Sequence, residues 1–480
     1  MKALRKSRTF LGLLLCCLLL LTGCRPAEEG TDPAQPEDTP LLTILVDELP
    51  QNLDPLETDS SESAVLINYL CDGLLEFNVE TGRPAPCLAQ SWDVSEDGLT
   101  LTLYLETGAT FADGAAVNAQ AVVQNIQRWQ NQGSDELQRQ LSSISSVRAS
   151  GTSQVVLTLS RPDAGLFTVF CSPQTKLVSP NVLNAGTASE NPQGAGSYQL
   201  EQIRNGTILL TQREDYFKGT PPHEQVEFRS VAPATAQIWM NESQDYLVIG
   251  GLVSQTTVAG EYQRYTTAGL SSYQLYLNLQ QIPLITVRQL IGQTVQTNVT
   301  MPNGFLDQGG LLPDAVFEGE DVVFSANTDA TLAQYSYGNM TLICRQDSIS
   351  MELAQQIQQA LNAQNCNLEI QALEEEAFRQ AIARGDYDLC LVGQDILDCT
   401  DWLEMFTSPD TDPVHLQSDS LIKQAQGLMN MSYTKERTDA LELFCSDLAQ
   451  QAVVIPICQN SISVLSSQKY YLDPWGCFYA

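Results

Sequence analysis

The chain has 480 residues and carries 57 acidic against 24 basic side chains, which gives a formal net charge of −33 at pH 7. A chain this acidic repels phosphate backbones and anionic headgroups, which argues against nucleic acid and anionic lipid as ligands. Single hydrophobic cores stop growing at about 250 to 300 residues, so two or three subdomains are expected.

The first predicted segment is a secretory signal over residues 1–23. Four basic residues within positions 2–8 precede an apolar run, Phe10–Leu21, that is too short to cross a bilayer as a mature helix. The next letters, LTGC at Leu21–Cys24, are similar to the lipobox of bacterial lipoproteins. That resemblance implies cleavage before Cys24 and a lipid anchor on its sulfur, outside the cytoplasmic membrane. A plain secretory signal or an uncleaved anchor is the alternative.

Residues 24–40 form a polar segment rich in proline, glutamate and aspartate, with no apolar periodicity. Such a segment cannot bury enough apolar surface to offset the entropy that is lost when a chain becomes ordered. We therefore predict a disordered tether between the lipid anchor and a folded part that begins near Leu41.

Five elements are predicted at the start of the folded part. Leu41–Leu49 is predicted to be a strand, and Ser60–Phe77 a helix with a serine N-cap. Leu99–Leu105 alternates leucine with other residues, which indicates a half-buried strand. Val117–Trp129 has apolar residues at helical spacing, and Ser153–Ser160 is predicted to be a further strand.

The middle of the chain predicts three more strands. Gly206–Gln212 and Gln225–Val231 are expected to pair around the loop between them, and Ser272–Gln280 alternates clearly. The region from about Asn298 to Asn339 is polar and weakly patterned, so its elements cannot be assigned.

The last part of the chain is typical of an α/β protein. From Met340 to Gly393 the pattern reads strand, helix, strand, helix, strand, which favours a parallel sheet covered by helices. A long helix is predicted over Lys435–Gln451, followed by the apolar strand Ala452–Cys458. A mixed first half thus precedes an α/β second half, and two lobes are expected.

Residues with distinctive chemistry are sparse. Ten cysteines follow Cys24 without a close pair. We expect isolated buried thiols in preference to a disulfide framework, which stays open as an alternative. With two histidines in the chain, neither a metal site nor a haem is expected, and no cofactor is predicted. Serine-nucleophile and zinc-protease motifs do not occur, so an enzyme is not expected.

A stretch near the start of the folded part carries residue types in a specific order. Its matching positions are Pro86, Leu88, Ala89, Trp92, Asp97, Gly98, Phe111, Asp113 and Gly114. Together they resemble the pattern of the large extracytoplasmic solute-binding proteins of ABC importers, in the class that binds peptides and nickel. Similar segments at Asn52–Leu56, Gly194–Tyr198 and Arg213–Pro222 extend the resemblance from about Leu41 to the C terminus.

The resemblance implies a bilobal α/β fold of the periplasmic-binding-protein type, with mixed sheets flanked by helices and lobes that close by a hinge motion. Lobe I would comprise residues 41–275, with an extra subdomain at about 71–169, and would be completed by about 460–480. Lobe II would comprise residues 276–459.

The resemblance also implies a ligand-binding loop after the last strand of the parallel sheet. In peptide binders of this class an aspartate pairs with the ammonium terminus of the ligand, since an unpaired charge in a closed cleft is costly. Asp398 and Asp401 keep the family's spacing here, whereas Gln394 and Cys399 depart from its pattern. The alternative role of both aspartates is a solvated turn or a helix cap.

Four further side chains are candidates for ligand binding. Trp402 and Tyr273 are aromatic candidates for walls of the cleft, with core packing as the alternative. Asn278 is either a polar anchor at a crossover strand or a residue that caps a strand. Cys71 stands where the family has tyrosine, close in sequence to loops that usually face the cleft.

We therefore expect a monomeric, lipid-anchored protein that captures short peptides, or similar amine-bearing solutes, and delivers them to an ABC permease. The alternative on the same fold is a sensor or degenerate binder that signals to a membrane partner.

Overall fold

The computed structural model describes residues 41–479 apart from 243–245, 259, 318, 326–331, 336, 409, 417 and 432–433. The predicted signal peptide, the lipidation site at Cys24 and the predicted tether lie outside the described residues.

The strands of the described chain follow the order in the sequence. They are β1 (Leu41–Val46), β2 (Leu75–Asn78), β3 (Arg83–Pro86), β4 (Ala89–Val94), β5 (Thr100–Leu105), β6 (Ile144–Ser150), β7 (Gln154–Leu159), β8 (Tyr198–Arg204), β9 (Thr207–Gln212), β10 (Gln225–Ser230), β11 (Tyr246–Val248), β12 (Gln263–Leu277), β13 (Phe305–Asp307), β14 (Asn339–Arg345), β15 (Asn367–Leu373), β16 (Leu389–Asp395), β17 (Val454–Ser466), β18 (Tyr471–Leu472) and β19 (Phe478–Tyr479).

The helices of the described chain lie between these strands. They are α1 (Ser61–Leu70), α2 (Ala119–Gln132), α3 (Asp135–Gln140), α4 (Gly165–Val169), α5 (Pro180–Ala185), α6 (Pro233–Asn241), α7 (Gly251–Gln255), α8 (Ile285–Asn298), α9 (Ser348–Asn362), α10 (Glu375–Arg384), α11 (Cys399–Glu404), α12 (Asp419–Met429) and α13 (Lys435–Gln450). Short 3₁₀ turns occur at Pro55–Glu57, Pro173–Thr175 and Leu332–Tyr335.

Eleven of the described strands form one mixed sheet in the order β15-β14-β16-β12-β17-β11-β1-β10-β9-β8, with β13 paired to β17. We call β11, β1, β10, β9 and β8 the first half, and β13, β14, β15 and β16 the second half. One strand in each half runs parallel to both of its neighbours, β1 in the first half and β14 in the second. The predicted strand and helix alternation from Met340 to Gly393 is therefore confirmed as a parallel arrangement.

The two halves are joined by β12 and β17, which pair antiparallel over almost their whole lengths of 15 and 13 residues. The predicted strands Ser272–Gln280 and Ala452–Cys458 lie largely within these longer crossover strands. The lobe boundary predicted at 275/276 falls inside β12, which pairs with β17 and with β16 of the second half, and it stays a prediction.

A separate four-stranded antiparallel sheet, β4-β5-β7-β6, lies within the region predicted to form an extra subdomain. Along β5 the side chains of Leu101, Leu103 and Leu105 are buried in alternation, as the leucine pattern predicts. Helix α2 begins at the N-cap Asn118 and contributes Trp129 to the same core. The alternating strand and the amphipathic helix are thus confirmed.

The predicted helix Ser60–Phe77 is wrong in its second half, because α1 ends at Leu70 and β2 follows. Between α1 and β2, Gly73 packs closely on a distant segment, since an added Cβ would lie 2.9 Å from the carbonyl oxygen of Phe170. The backbone N–H of Leu75 donates to that same carbonyl at 3.3 Å. A contact with a distant segment therefore overrides the local apolar pattern.

The ten cysteines of the described residues all carry free thiols, and nine of them are buried. Among the residues that the structure describes, no helix combines the length and apolarity that a membrane span needs.

Candidate functional site

The two crossover strands change register at one point. Ala268 of β12 pairs with Ser461 of β17, and Ser272 pairs with Gln459. Three residues of β12 therefore face the single residue Asn460, which makes a β-bulge. On one side of this bulge the strands adjoin the first half of the sheet, and on the other side they adjoin the second half.

A cavity of about 760 Å³ lies beside this bulge. Its walls come from the start of α1, the turn that leads into α7, the crossover strands, the segment around β13 and the C-terminal region. The lining is mostly small and polar: Ser60, Ser61, Glu62, Gly250, Gly251, Val253, Ser254, Arg264, Thr266, Asn303, Gly304, Phe305, Leu306, Asn460, Ser461, Ile462, Ser463 and Trp475. The crossover strands, β13 of the second half and segments next to the first half therefore contribute to one cavity.

Two charged side chains of opposite sign line the cavity. The Glu62 carboxylate accepts hydrogen bonds from the backbone N–H of Gly251 at 3.2 Å and from the Ser61 hydroxyl at 2.9 Å. Arg264 donates from Nη2 to the carbonyl oxygen of Val253 at 2.9 Å. These bonds fix the positions of both charged groups and leave each with further hydrogen-bonding capacity.

The structure places Asp398 in a buried ion pair. Arg437 of α13 donates from Nη2 to Asp398 Oδ1 at 2.7 Å and from Nη1 to Oδ2 at 3.3 Å, and both side chains are at least 93% buried. Asp398 is also the N-cap of α11, where it accepts from the backbone N–H of Thr400 at 2.9 Å. Asp398 therefore acts as the N-cap of α11, and the Arg437 guanidinium already pairs with its carboxylate.

The pKa of the Asp398 carboxyl reflects this pairing. Burial on its own raises the pKa, but the Arg437 guanidinium and the hydrogen bonds from Thr400 outweigh burial and hold the pKa below its usual value. Asp398 is therefore ionised at neutral pH.

Asp401 lies in the first turn of α11 in a strongly acidic environment. Its neighbours are Asp398 on the same helix, Glu136 and Arg139 on α3, and Asp163 before α4. Burial, followed by the negative charge of Asp398, raises the pKa of Asp401 to about 8. Asp401 therefore keeps its proton at neutral pH and differs in charge from Asp398.

Trp402 lies in the core and is fully buried. Its Nε1 donates to Gln274 Oε1 and to the Tyr276 hydroxyl, both at 3.0 Å. Its ring packs against Phe406 and Phe444. Trp402 thus packs in the core, which is the alternative that the sequence left open.

Tyr273 lies within β12, and Asn278 directly follows that strand. Asn278 is fully buried just after the strand, where Nδ2 donates to the carbonyl oxygens of Gly385 and Tyr387 at 3.1 and 3.0 Å. It thus anchors the end of the crossover strand. Tyr273 is half-buried and packs on Gly393, where an added Cβ would lie 2.2 Å from its ring. Burial raises the pKa of Tyr273 to about 12.

Cys71 directly follows α1 and is fully buried. Its sulfur would lie 2.3 Å from a Cβ added to Gly194, so the two residues are in close contact. Burial raises the pKa of its thiol. Cys71, Trp402 and Asn278 are thus enclosed by protein, and their roles in ligand binding stay predictions.

Sequence reasoning missed Arg437, Glu62, Arg264 and Asn460. Arg437 is 39 positions from Asp398, so no local pattern connects them. Glu62 belongs to a helix that was predicted, and its acidic charge at the helix start was a usable signal, since anions are favoured there. The group of three or more His, Cys, Asp and Glu side chains that a metal needs is absent from the described part of the chain.

The amino-acid sequence is similar to that of known solute-binding proteins. Residues 83–289 match the model of the bacterial extracellular solute-binding proteins, family 5, middle region. The probable D,D-dipeptide-binding periplasmic protein of Escherichia coli strain K12 is 24% identical over 393 residues, which is 75% of each chain.

Solved structures share the fold. HbpA2 from Haemophilus parasuis superposes with a TM-score of 0.77 at 19% identity, over 91% of this chain and 98% of that one. The unliganded open form of the periplasmic murein tripeptide binding protein gives a TM-score of 0.74 at 18% identity, over 91% and 94%. These structures confirm the predicted bilobal periplasmic-binding-protein fold class. The match of residues 83–289 to the family 5 model and the similarity to the dipeptide-binding relative confirm the predicted resemblance to the family 5 extracellular solute-binding proteins.

Proposed function

We propose that the chain captures a short peptide, or an amine-bearing solute of similar size, and delivers it to the permease of an ABC importer from a lipid anchor on Cys24. The family match, the dipeptide-binding relative and the tripeptide-binding structure support the ligand class. Each of those names describes another protein, so for this chain the ligand, the permease and the anchor are parts of the proposal.

The cavity at the crossover strands is the observation that carries this proposal. Small-molecule sites usually measure about 300 to 1,000 Å³, and the cavity here has about 760 Å³. It is lined by the crossover strands, by β13 of the second half and by the starts of α1 and α7, so a bound solute would contact several separate segments of the chain. The hydroxyl and amide groups of its lining suit the hydrogen-bonding groups of a peptide backbone.

The two charged groups of the cavity suit the two ends of a zwitterion. We assign Glu62 as the partner of a ligand ammonium group and Arg264 as the partner of a ligand carboxylate. Asp398 is the second candidate for the ammonium partner. Binding there requires the ligand to share Asp398 with Arg437 or to displace that guanidinium.

A melting-temperature screen with di- to pentapeptides tests the proposal. A ligand at a hundredfold excess over Kd stabilises the folded state by about 2.7 kcal/mol, which raises the melting temperature. We expect at least one peptide to do so. The absence of a shift with every peptide at millimolar concentration would refute the peptide assignment.

Matched variants then locate the ammonium site. We expect Glu62→Gln to weaken the binding of a free-amine peptide by about tenfold while leaving its N-acetylated form unaffected, because only the free amine carries the charge. The exposed Glu80→Gln serves as the control. If Asp398→Asn gives the selective loss instead, the assignment of Glu62 is wrong.

A further inference from the structure

We infer that Asn460 couples the cavity to a hinge between the two halves of the large sheet. Its side-chain carbonyl holds the bulge of the crossover strands, and its side-chain amide is the donor offered to an acceptor oxygen of the bound solute. The second part of this inference rests on the proposed function, whereas the first part does not.

The position of the bulge identifies it as a hinge. On one side of the bulge the crossover strands are bordered by β11 of the first half. On the other side they are bordered by β16 and β13 of the second half. Segments that absorb a change of backbone angles between two rigid bodies act as hinges, and a bulge already interrupts the regular ladder. The two crossover strands have this interruption between Ala268 and Ser272.

The Asn460 side chain forms a hydrogen bond across the bulge. Its Oδ1 accepts a hydrogen bond from the backbone N–H of Ser271 at 2.9 Å. A Cβ added to Gly269 would lie 2.3 Å from that Oδ1 and 2.5 Å from Nδ2. Glycine is therefore required at position 269 for the Asn460 side chain to reach Ser271.

The bulge is attached more firmly to the second half than to the first. The backbone N–H of Ile396 donates to the carbonyl of Leu270 at 2.9 Å, and the Ser271 hydroxyl donates to Asp395. On the other strand the N–H of Ser461 donates to the carbonyl of Gly304 at 2.9 Å. Movement of the first half relative to this fixed region would therefore act on Asn460.

The same side chain lines the cavity. Asn460 is half-buried, and within the described residues its Nδ2 donates no hydrogen bond to the protein. An amide group has two N–H donors, and here they are available to a ligand carbonyl or carboxylate oxygen. A ligand bonded to Nδ2 would immobilise the side chain that holds Ser271, and in this way it would stiffen the hinge.

Two substitutions separate the two roles of Asn460. Asn460→Asp keeps an acceptor oxygen for Ser271 but removes the donor, and Asn460→Leu removes both. In the ligand-free full chain we expect amide hydrogen exchange at Ser271 to be unchanged by the first variant and about tenfold faster in the second, as loss of one partly buried hydrogen bond predicts. Unchanged exchange in Asn460→Leu would overturn the hinge role.

Trialanine is the probe for the second role. We expect both variants to bind it at least tenfold more weakly than the unaltered chain, because the donor to the ligand is lost. Wild-type affinity in Asn460→Asp would overturn the role of the amide. If trialanine does not bind the unaltered chain, the proposed function fails for that peptide, and the proposed hydrogen bond from Asn460 to it is refuted. The hydrogen-exchange result at Ser271 still tests the role of Asn460 in the hinge.

Gly269→Ala gives a second check of the hinge, because the substituted residue does not itself line the cavity. The added methyl group would push the Asn460 side chain away from Ser271. We expect Ser271 exchange to accelerate as it does in Asn460→Leu. Exchange at the wild-type rate in a folded Gly269→Ala protein would contradict the geometry of the clamp.

Discussion

At the residue scale, Asp398 shows how a carboxylate that suits ligand binding can have a structural role. It caps α11 and pairs with Arg437, and both groups are almost completely removed from solvent. Removing one partner of a buried pair leaves an uncompensated charge. Loss of peptide binding in an Asp398 variant would therefore not by itself assign the aspartate to the ligand.

We predict that Asp398→Ala lowers the free energy of unfolding by about 3 to 5 kcal/mol, because Arg437 loses its buried partner. The double variant Asp398→Ala with Arg437→Met should regain most of that loss. Urea unfolding of the two single variants and the double variant measures the coupling. Additive losses would show that the pair does not stabilise the fold as a unit.

Asp401 predicts a pH dependence of the opposite kind to that of a salt-bridged carboxylate. Its pKa is raised to about 8, so the folded state binds a proton that the unfolded state releases near pH 4. The contribution of Asp401 to the free energy of unfolding is therefore most favourable below about pH 4, and it is lost as the pH rises to about 8. The charged groups facing Asp401 are Asp398, Glu136, Arg139 and Asp163.

We predict that Asp401→Asn removes this dependence. Relative to the unaltered chain, the variant should gain melting temperature progressively between pH 5 and pH 8, since asparagine cannot ionise. Thermal unfolding at several pH values measures the difference, and the exposed Asp386→Asn is the control. A difference that is constant over this pH range would contradict the raised pKa.

At the scale of elements, short-range patterns predicted most strands and helices but not their ends. The alternating leucines of β5 and the spaced apolar residues of α2 gave correct predictions because each pattern expresses one buried face. The end of α1 depends on the contact of Gly73 with Phe170, which no local pattern contains. The partner of Asp398 and the bulge at Asn460 were likewise beyond prediction, since both depend on contacts between distant segments.

The loop Gly194–Tyr198 supplies a test at this scale. An added Cβ at Gly196 would lie 2.5 Å from backbone atoms of Tyr69 and Leu70 at the end of α1. We predict that Gly196→Ala destabilises the fold by about 1 to 3 kcal/mol through this overpacking. Gly338→Ala is the control, because its added Cβ would meet no atom within 4 Å.

Chemical denaturation measures both glycine variants. The packing account of this loop requires a clear difference between them. Equal stability of Gly196→Ala and Gly338→Ala would contradict it and would leave ligand contact as the better explanation for the glycines of this loop.

At the scale of the whole molecule, the two halves of the large sheet meet at a pair of crossover strands, and a polar cavity lies beside these strands. The family resemblance predicted two lobes, and the solved structures of similar fold confirm that class. What the resemblance did not contain was the location of the cavity charges. Glu62 and Arg264 come from segments about 200 positions apart and converge only in the folded chain.

The central claim is that a peptide binds in this cavity, and a crystal structure of the chain with trialanine tests it most directly. We predict that the peptide lies between Glu62 and Arg264, with one of its acceptor oxygens hydrogen-bonded to Asn460 Nδ2. A peptide seated against Asp398 with the cavity unoccupied would contradict the account.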